Sequence, residues 1–131
     1  MFDKIAFRYD FLNRFLSFGI DKGWRRKALR MLIADHPKNI LDVATGTGDF
    51  AILANQILSP EKITGIDISE GMLKIGNEKL ISAGLTDKIE LKIGDSEAIS
   101  YSDNSFDAVT VAFGVRNFEN LERGLSEIKR V

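Results

Sequence analysis

The chain has 131 residues, 44% of them hydrophobic and 28% charged, with a formal net charge of -1. That length suits one domain with its own core and is short for two, and the balanced charge excludes a whole-chain basic field for nonspecific nucleic-acid binding. With no cysteine and a single histidine, disulfides, thiolate chemistry and Cys- or His-cluster metal sites are excluded, and no metal is expected.

In chain order, residues 2–18 place Phe2, Ile5, Ala6, Tyr9, Leu12 and Leu16 at helical spacing, with Phe11, Phe15 and Phe18 off that stripe. A helix apolar on more than one side needs a cover, and Gly19 is positioned to end it. A second helix is predicted over about 22–34, with Trp24, Ala28, Leu29 and Leu32 opposite Arg25, Arg26, Lys27 and Arg30. His36, just before Pro37, reads as a connection.

From Pro37 the pattern alternates between strand and helix. A strand at 40–43 leads into a helix carrying Phe50, Leu53, Ala54, Ile57 and Leu58 at i, i+3, i+4, i+7 and i+8. A second strand spans 62–66. Ser69 caps the next helix, which is predicted to turn Met72, Ile75, Gly76, Leu80 and Ala83 inward and to stop at Gly84. Ile89, Leu91 and Ile93 alternate with Glu90 and Lys92, an edge strand with one wet face. Residues 106–113 are apolar almost throughout and predict a central strand. Leu121, Leu125 and Ile128 mark a last helix.

This order predicts an α/β, Rossmann-like domain over residues 37–131, with parallel strands 1–4 and flanking helices, preceded by a helical segment at 1–36 that covers the site. A central fourth strand with no strand after the last helix would expose an apolar edge, which natural sheets avoid. The sequence is therefore expected to hold the front part of a longer domain. There is no apolar run of about 18 residues and no signal-peptide pattern, so a cytoplasmic protein is expected, with peripheral membrane contact left open.

The first strand ends in Asp42-Val-Ala-Thr-Gly46-Thr47-Gly48-Asp49-Phe-Ala51, a G-x-G-x-x-G/A turn into a helix, and Asp67 follows about twenty residues on. Alone, that pattern suits a dinucleotide as well as other adenosine cofactors. The charges argue for a cation. Asp42 and Asp49 beside a pyrophosphate would each be repulsive by about 1 kcal/mol at an effective dielectric near ~20, whereas S-adenosylmethionine carries an ammonium and a sulfonium. Asp49 also reads as a plain helix cap. Gly46 in that turn would hold the cofactor, and Asp67 would accept from the ribose diol. Asp95 and Ser96, at the end of the third strand, would face the adenine. Asp67 and Asp95 have a simpler reading as turn residues.

Phe2-Asp-Lys-Ile-Ala, Tyr9-Asp10-x-x-Asn13 and Leu16-Ser17-x-Gly19-x-Asp21-x-x-Trp24-Arg25 resemble the N-terminal signature of the menaquinone/ubiquinone biosynthesis C-methyltransferases. The glycine loop, Gly65-Ile-Asp67-Ile-Ser-Glu-Gly-Met72 and Phe113-Gly-Val-Arg116-Asn117 continue the likeness along the whole chain. The resemblance implies a class I fold that uses S-adenosylmethionine to methylate a ring carbon of a prenylated quinol, demethylmenaquinol to menaquinol. It implies Thr47, Asp67, Asp95 and Ser96 as cofactor contacts. Ala112 stands where some relatives have serine. Tyr9, Asp10, Arg116 and Asn117 are candidates for deprotonating the quinol or stabilising its oxyanion. The Phe-rich front would cover the prenyl tail, and Arg25-Arg26-Lys27 reads as an anionic-lipid contact or as a solvated helix face. Three rival readings stay open: another small-molecule methyltransferase, a nicotinamide-dependent oxidoreductase, and a cofactor-binding fragment without turnover. Oligomeric state has no signal.

Overall fold

The structure, a computed structural model, describes residues 22–111 and 121–131, with side chains over 26–111 and 122–131. Tyr9, Asp10, Ala112, Arg116 and Asn117, and the Phe-rich helix expected at 2–18, lie outside the described residues.

Helix α1 spans Lys22–Arg30, β1 Asn39–Val43, α2 Asp49–Leu58, β2 Lys62–Asp67, α3 Glu70–Ala83, β3 Ile89–Ile93, β4 Ala108–Val111 and α4 Leu121–Arg130. The four strands form one sheet in the order β3-β2-β1-β4, and every pairing is parallel. Parallel neighbours need a crossover connection: the helix α2 links β1 to β2 and α3 links β2 to β3 on one face, residues 94–107 lead from β3 to β4, and α4, which follows β4, covers the other face. That is the Rossmann-like α/β architecture expected from the alternation.

Each face of the sheet has its own core. Ala28, Leu29, Ile40, Phe50, Ala54, Ile63, Leu73, Leu80, Ile89 and Leu91 gather under α1, α2 and α3. Leu41, Val43, Ile66, Val109, Val111, Ile128 and Val131 gather under α4. Fully burying one such Leu, Ile or Val contributes about 1.5–3 kcal/mol, so these two layers set the fold. Because Ala28, Leu29 and Leu32 share the first core, residues 22–32 pack as part of the α/β unit. Arg26, Lys27 and Arg30 are exposed on the other side of α1.

Local signals explain most boundaries. The Ser69 Oγ accepts the Met72 N–H at 3.3 Å, and Gly84 closes α3 at φ +68°. The first helix stops at Arg30, earlier than predicted, and a short 3-10 turn over Ile33–Asp35 ends at His36 with φ +45°. Strand β3 is an edge, as its alternation requires. Strand β4 is shorter than predicted among the described residues and lies at the other end of the order, paired with β1, yet all four of its residues are buried. The rotation of α3 also differs from expectation. Leu73, Gly76 and Leu80 face inward, whereas Met72 and Ile75 are 43% and 48% exposed and Ala83 is exposed. Among the described residues no helix is long and apolar enough to cross a membrane.

Candidate cofactor site

The C-terminal ends of β1, β2 and β3 are stitched into one rim. Thr45 N–H donates to the Ile66 carbonyl at 2.9 Å, and Gly94 N–H donates to the Asp67 carbonyl at 3.0 Å. Across the same rim, Gly46 N–H donates to Asp67 Oδ2 at 2.8 Å. The crevice outside strand C-termini is where open α/β sheets bind ligands.

The loop between β1 and α2 turns through positive φ at three positions: Ala44 at +55°, Gly46 at +59° and Gly48 at +81°. These values carry the chain from strand to helix within a few residues. Half-buried Gly46 has no Cβ to keep a ligand from the backbone, whereas Gly48 is buried and a Cβ there would stand 3.3 Å from Leu91 Cδ1 in the core.

Asp67 is the acid this rim presents. Its Oδ2 takes the Gly46 N–H and its Oδ1 takes the Ser69 N–H at 2.9 Å. Each carboxylate oxygen has a second lone pair, so a vicinal diol still finds two acceptors. Ile68, the next residue, is 77% exposed, an apolar surface beside the acid. Met72 reaches back over the loop, its Cε 3.5 Å from where a Cβ on Gly46 would stand. A glycine turn, a carboxylate with acceptor capacity beyond its two backbone bonds and adjacent apolar side chains are of the kinds that the nucleoside half of S-adenosylmethionine would need.

Asp95 and Ser96 lie just past β3 on the same rim. Asp95 is exposed and its Oδ1 accepts Glu97 N–H at 2.9 Å, which fixes an Asx turn and orients the residues that follow. The geometry thus brings Gly46, Thr47, Asp67, Asp95 and Ser96 onto one edge.

Two acids behave differently from the charge argument made on sequence. Asp42 is 1% exposed, and its carboxylate accepts Thr45 Oγ1 at 2.7 Å and Thr110 Oγ1 at 2.8 Å. It braces the loop from below. Asp49 pairs with Lys79 Nζ at 2.8 Å, and the same ammonium donates to Thr47 Oγ1 at 3.1 Å. Asp42 is thus buried and Asp49, though exposed, is paired with Lys79, whereas Asp67 lies half-buried and Asp95 exposed along the rim. Lys79 gave no signal in the sequence, because its partners are about thirty residues away.

The ubiE/COQ5 methyltransferase family model matches residues 1–131. The chain belongs to the ubiE/COQ5 methyltransferase family. It is 57% identical to a demethylmenaquinone methyltransferase of Bacteroides fragilis over all of this chain and 54% of that protein. Against a ubiquinone/menaquinone biosynthesis C-methyltransferase of Geobacter sulfurreducens it is 47% identical, over all of this chain and 52% of that one. The chain thus spans about half the length of the curated relatives it matches. Among solved structures, a putative methyltransferase of Bacillus halodurans superposes with a TM-score of 0.70 at 28% identity, covering 81% of this chain and 45% of that one. A putative S-adenosylmethionine-dependent methyltransferase of Methanococcus maripaludis shares the fold, with a TM-score of 0.68 at 22% identity over 84% of this chain and 58% of that one.

Proposed function

We propose that the rim binds S-adenosylmethionine and that the protein methylates a ring carbon of a prenylated quinol, converting demethylmenaquinol to menaquinol. One observation carries the reading: the Asp67 carboxylate is tied to the glycine loop through Gly46 N–H, within a chain so similar to a demethylmenaquinone methyltransferase.

When bound, the cofactor supplies a methyl group made electrophilic by its sulfonium. The chain's share is placement and proton handling. Asp67 holds the ribose hydroxyls, Gly46 lets the cofactor come close to a backbone whose N–H stays on Asp67, Thr47 offers its backbone N–H, and Asp95 and Ser96 meet the adenine edge. Ile68 and Met72 exclude water from the nucleoside. On the quinol side, Tyr9 or Asp10 takes the hydroxyl proton and Arg116 with Asn117 steadies the resulting oxyanion; the Phe-rich front covers the prenyl tail. As the carbon–carbon bond forms, the methyl–sulfur bond would break and the neutral thioether leave; the ring carbon then gives up its proton and the oxyanion regains one, which restores the aromatic quinol. The protein works in the cytoplasm against the inner face of a membrane, where the exposed Arg26 and Lys27, with Arg25, meet anionic headgroups.

Calorimetry separates the cofactors. S-adenosylmethionine binds and NADH does not; tight NADH binding without S-adenosylmethionine affinity overturns the reading. With the chain extended to the length of its relatives, a demethylated naphthoquinol yields the ring-methylated product, and an O-methylated product would transfer the protein to a different methyltransferase chemistry. Co-sedimentation with vesicles checks the membrane contact, which fails if binding does not depend on anionic lipid.

A further inference from the structure

The connection from β3 to β4 is pinned at its start, middle and end. At the start, Gly94 N–H donates to the Asp67 carbonyl at 3.0 Å. At the end, Asn104 N–H and Phe106 N–H donate to the Arg130 and Val131 carbonyls at 2.8 and 2.9 Å. In the middle, side chains from the last turn of α4 take hold. Arg130 uses all five of its N–H donors. Nε and Nη2 grip the Glu127 carboxylate at 3.0 and 2.8 Å, and Nη2 also reaches the Ile99 carbonyl at 2.8 Å. Nη1 donates to the Tyr101 carbonyl at 2.7 Å and to Asp103 Oδ1 at 2.9 Å. Glu127 Oε2 accepts Ile99 N–H at 2.8 Å. Ile99 is thus fixed through both backbone polar groups, and its side chain is buried in the core under α4.

Asp95 and Ser96 lie between the Gly94 and Ile99 pins. Asp95 forms an antiparallel bridge with Ala98, whose N–H donates to the Asp95 carbonyl at 3.1 Å. The Asp95 side chain accepts Glu97 N–H at 2.9 Å. The turn is therefore a short closed loop, one leg set by β2 and the other by α4. Bonds from a guanidinium are charge-assisted and directional, so the α4 leg is the firmer of the two. Staking both legs lowers the ordering cost of presenting an exposed carboxylate to a ligand.

Resting on the cofactor reading above, we infer that Arg130 is a positioning residue for base recognition: with Glu127 it sets the turn that carries Asp95 and Ser96, so that an exocyclic amine on the cofactor's base is told from an oxygen. Arg130 acts through Ile99 and the Asp95–Ala98 bridge and not by contact with the base. An amine donates to the Asp95 carboxylate, whereas a carbonyl oxygen at the same place opposes it, and only a carboxylate held in place registers that difference.

The test uses three ligands: S-adenosylhomocysteine, S-inosylhomocysteine, in which the amine is replaced by oxygen, and 2′-deoxy-S-adenosylhomocysteine, which probes the ribose. Dissociation constants are measured by calorimetry for the wild-type chain, Arg130→Met and Arg130→Lys. The wild type prefers the adenosyl over the inosyl ligand by roughly tenfold, and Arg130→Met narrows that ratio to about threefold or less. The ratio between the ribose and deoxyribose ligands stays within about twofold of wild type, since Asp67 is anchored independently. Arg130→Lys keeps the charge but not the planar fork and narrows the base ratio as well. Equal weakening of all three ligands is what a merely structural arginine predicts, and it overturns the inference. So does an unchanged base ratio in Arg130→Met, or a full wild-type ratio in Arg130→Lys, which would assign the effect to charge and not to position. If the wild-type chain binds the adenosyl and inosyl ligands alike, the inference is overturned while the ribose and loop contacts stand. If it binds none of the three, the cofactor reading itself falls and takes this inference with it. Should Arg130→Met not fold, Arg130→Gln serves in its place with the same expectations.

Discussion

Gly76 and Thr47 are in backbone contact: a Cβ added at Gly76 would meet the Thr47 carbonyl oxygen at 2.9 Å and its carbonyl carbon at 3.1 Å. A third neighbour, Leu91 Cδ1 at 2.6 Å, sits on a flexible side chain and can shift, but the loop backbone cannot. The helix and the cofactor loop are seated on each other through this one missing methyl group. Gly76→Ala is therefore expected to push α3 off the loop and to cost about 1–2 kcal/mol, the overpacking penalty less the helix-propensity gain of alanine. Urea melts should show the loss, and calorimetry a weaker S-adenosylmethionine affinity. Gly71 is the control. It lies in the same helix, and a Cβ added there would meet nothing within 4 Å, so Gly71→Ala should stabilise by roughly 0.5 kcal/mol.

Ala44 presents the opposite case, a side chain where glycine would be easier. Its φ of +55° costs an alanine about 1–2 kcal/mol. Ala44→Gly relieves that strain, against about 0.4–1 kcal/mol of added unfolded-state entropy and the packing of one half-buried methyl group against the core beneath α4. The expected outcome is a stability equal to wild type or higher by up to about 1 kcal/mol. A loss greater than about 1 kcal/mol in urea melts would show that the methyl packing outweighs the backbone strain.

What the sequence made legible is what depends on neighbours along the chain. The period of Phe50, Ala54 and Leu58 needs only α2 itself, the Ser69 cap needs Met72 N–H three residues on, and Gly84 needs only its own φ. Asp67 was readable because the strand–loop–helix–strand order fixes where it falls. Long-range features were not. The rotation of α3, which exposes Met72 and Ile75 and buries Leu73, is set by Gly76 meeting Thr47 and Leu91 on other elements. Asp42 turns inward because β4 brings Thr110 beside it, and Asp49 is neutralised from α3. Charge alone, read along the chain, placed all these carboxylates against the ligand; pairing partners sort them.

Asp67 holds two roles that substitution can separate. On the proposed reading Asp67→Ala removes acceptors for the ribose diol as well as those for Gly46 and Ser69 N–H, so it should cost roughly 1.5–3 kcal/mol of S-adenosylmethionine affinity together with some stability. The ligand-specific part shows in competition: a 2′-deoxyribose analogue should bind the wild-type chain more weakly than the parent, and the two should bind Asp67→Ala alike. Equal discrimination in both proteins would place the diol elsewhere.

The last turn of α4 grips the connection between β3 and β4, and Glu127 makes that grip depend on pH. Its Oε2 accepts Ile99 N–H at 2.8 Å and Arg130 Nη2 at 2.8 Å, and its Oε1 accepts Arg130 Nε at 3.0 Å. Arg130 extends the tie to the Ile99 and Tyr101 carbonyls at 2.8 and 2.7 Å. The Arg130 guanidinium, with help from the Ile99 N–H, holds the Glu127 carboxyl below its ordinary value of 4.5. A carboxyl whose folded value lies below its unfolded one stabilises the fold fully above about pH 4.5, and that contribution is lost as pH falls through the lowered value. Glu127→Gln should therefore lose about 1–2 kcal/mol at neutral pH and show a shallower decline than wild type as the pH falls below 4.5, so that the two urea midpoints converge on acidification. Parallel pH profiles would mean that Glu127 contributes through shape and not through charge. The same connection carries Asp95 and Ser96, so weakening of S-adenosylmethionine binding in Glu127→Gln, with no change in contacts at the glycine loop, would measure how far α4 orients the adenine edge.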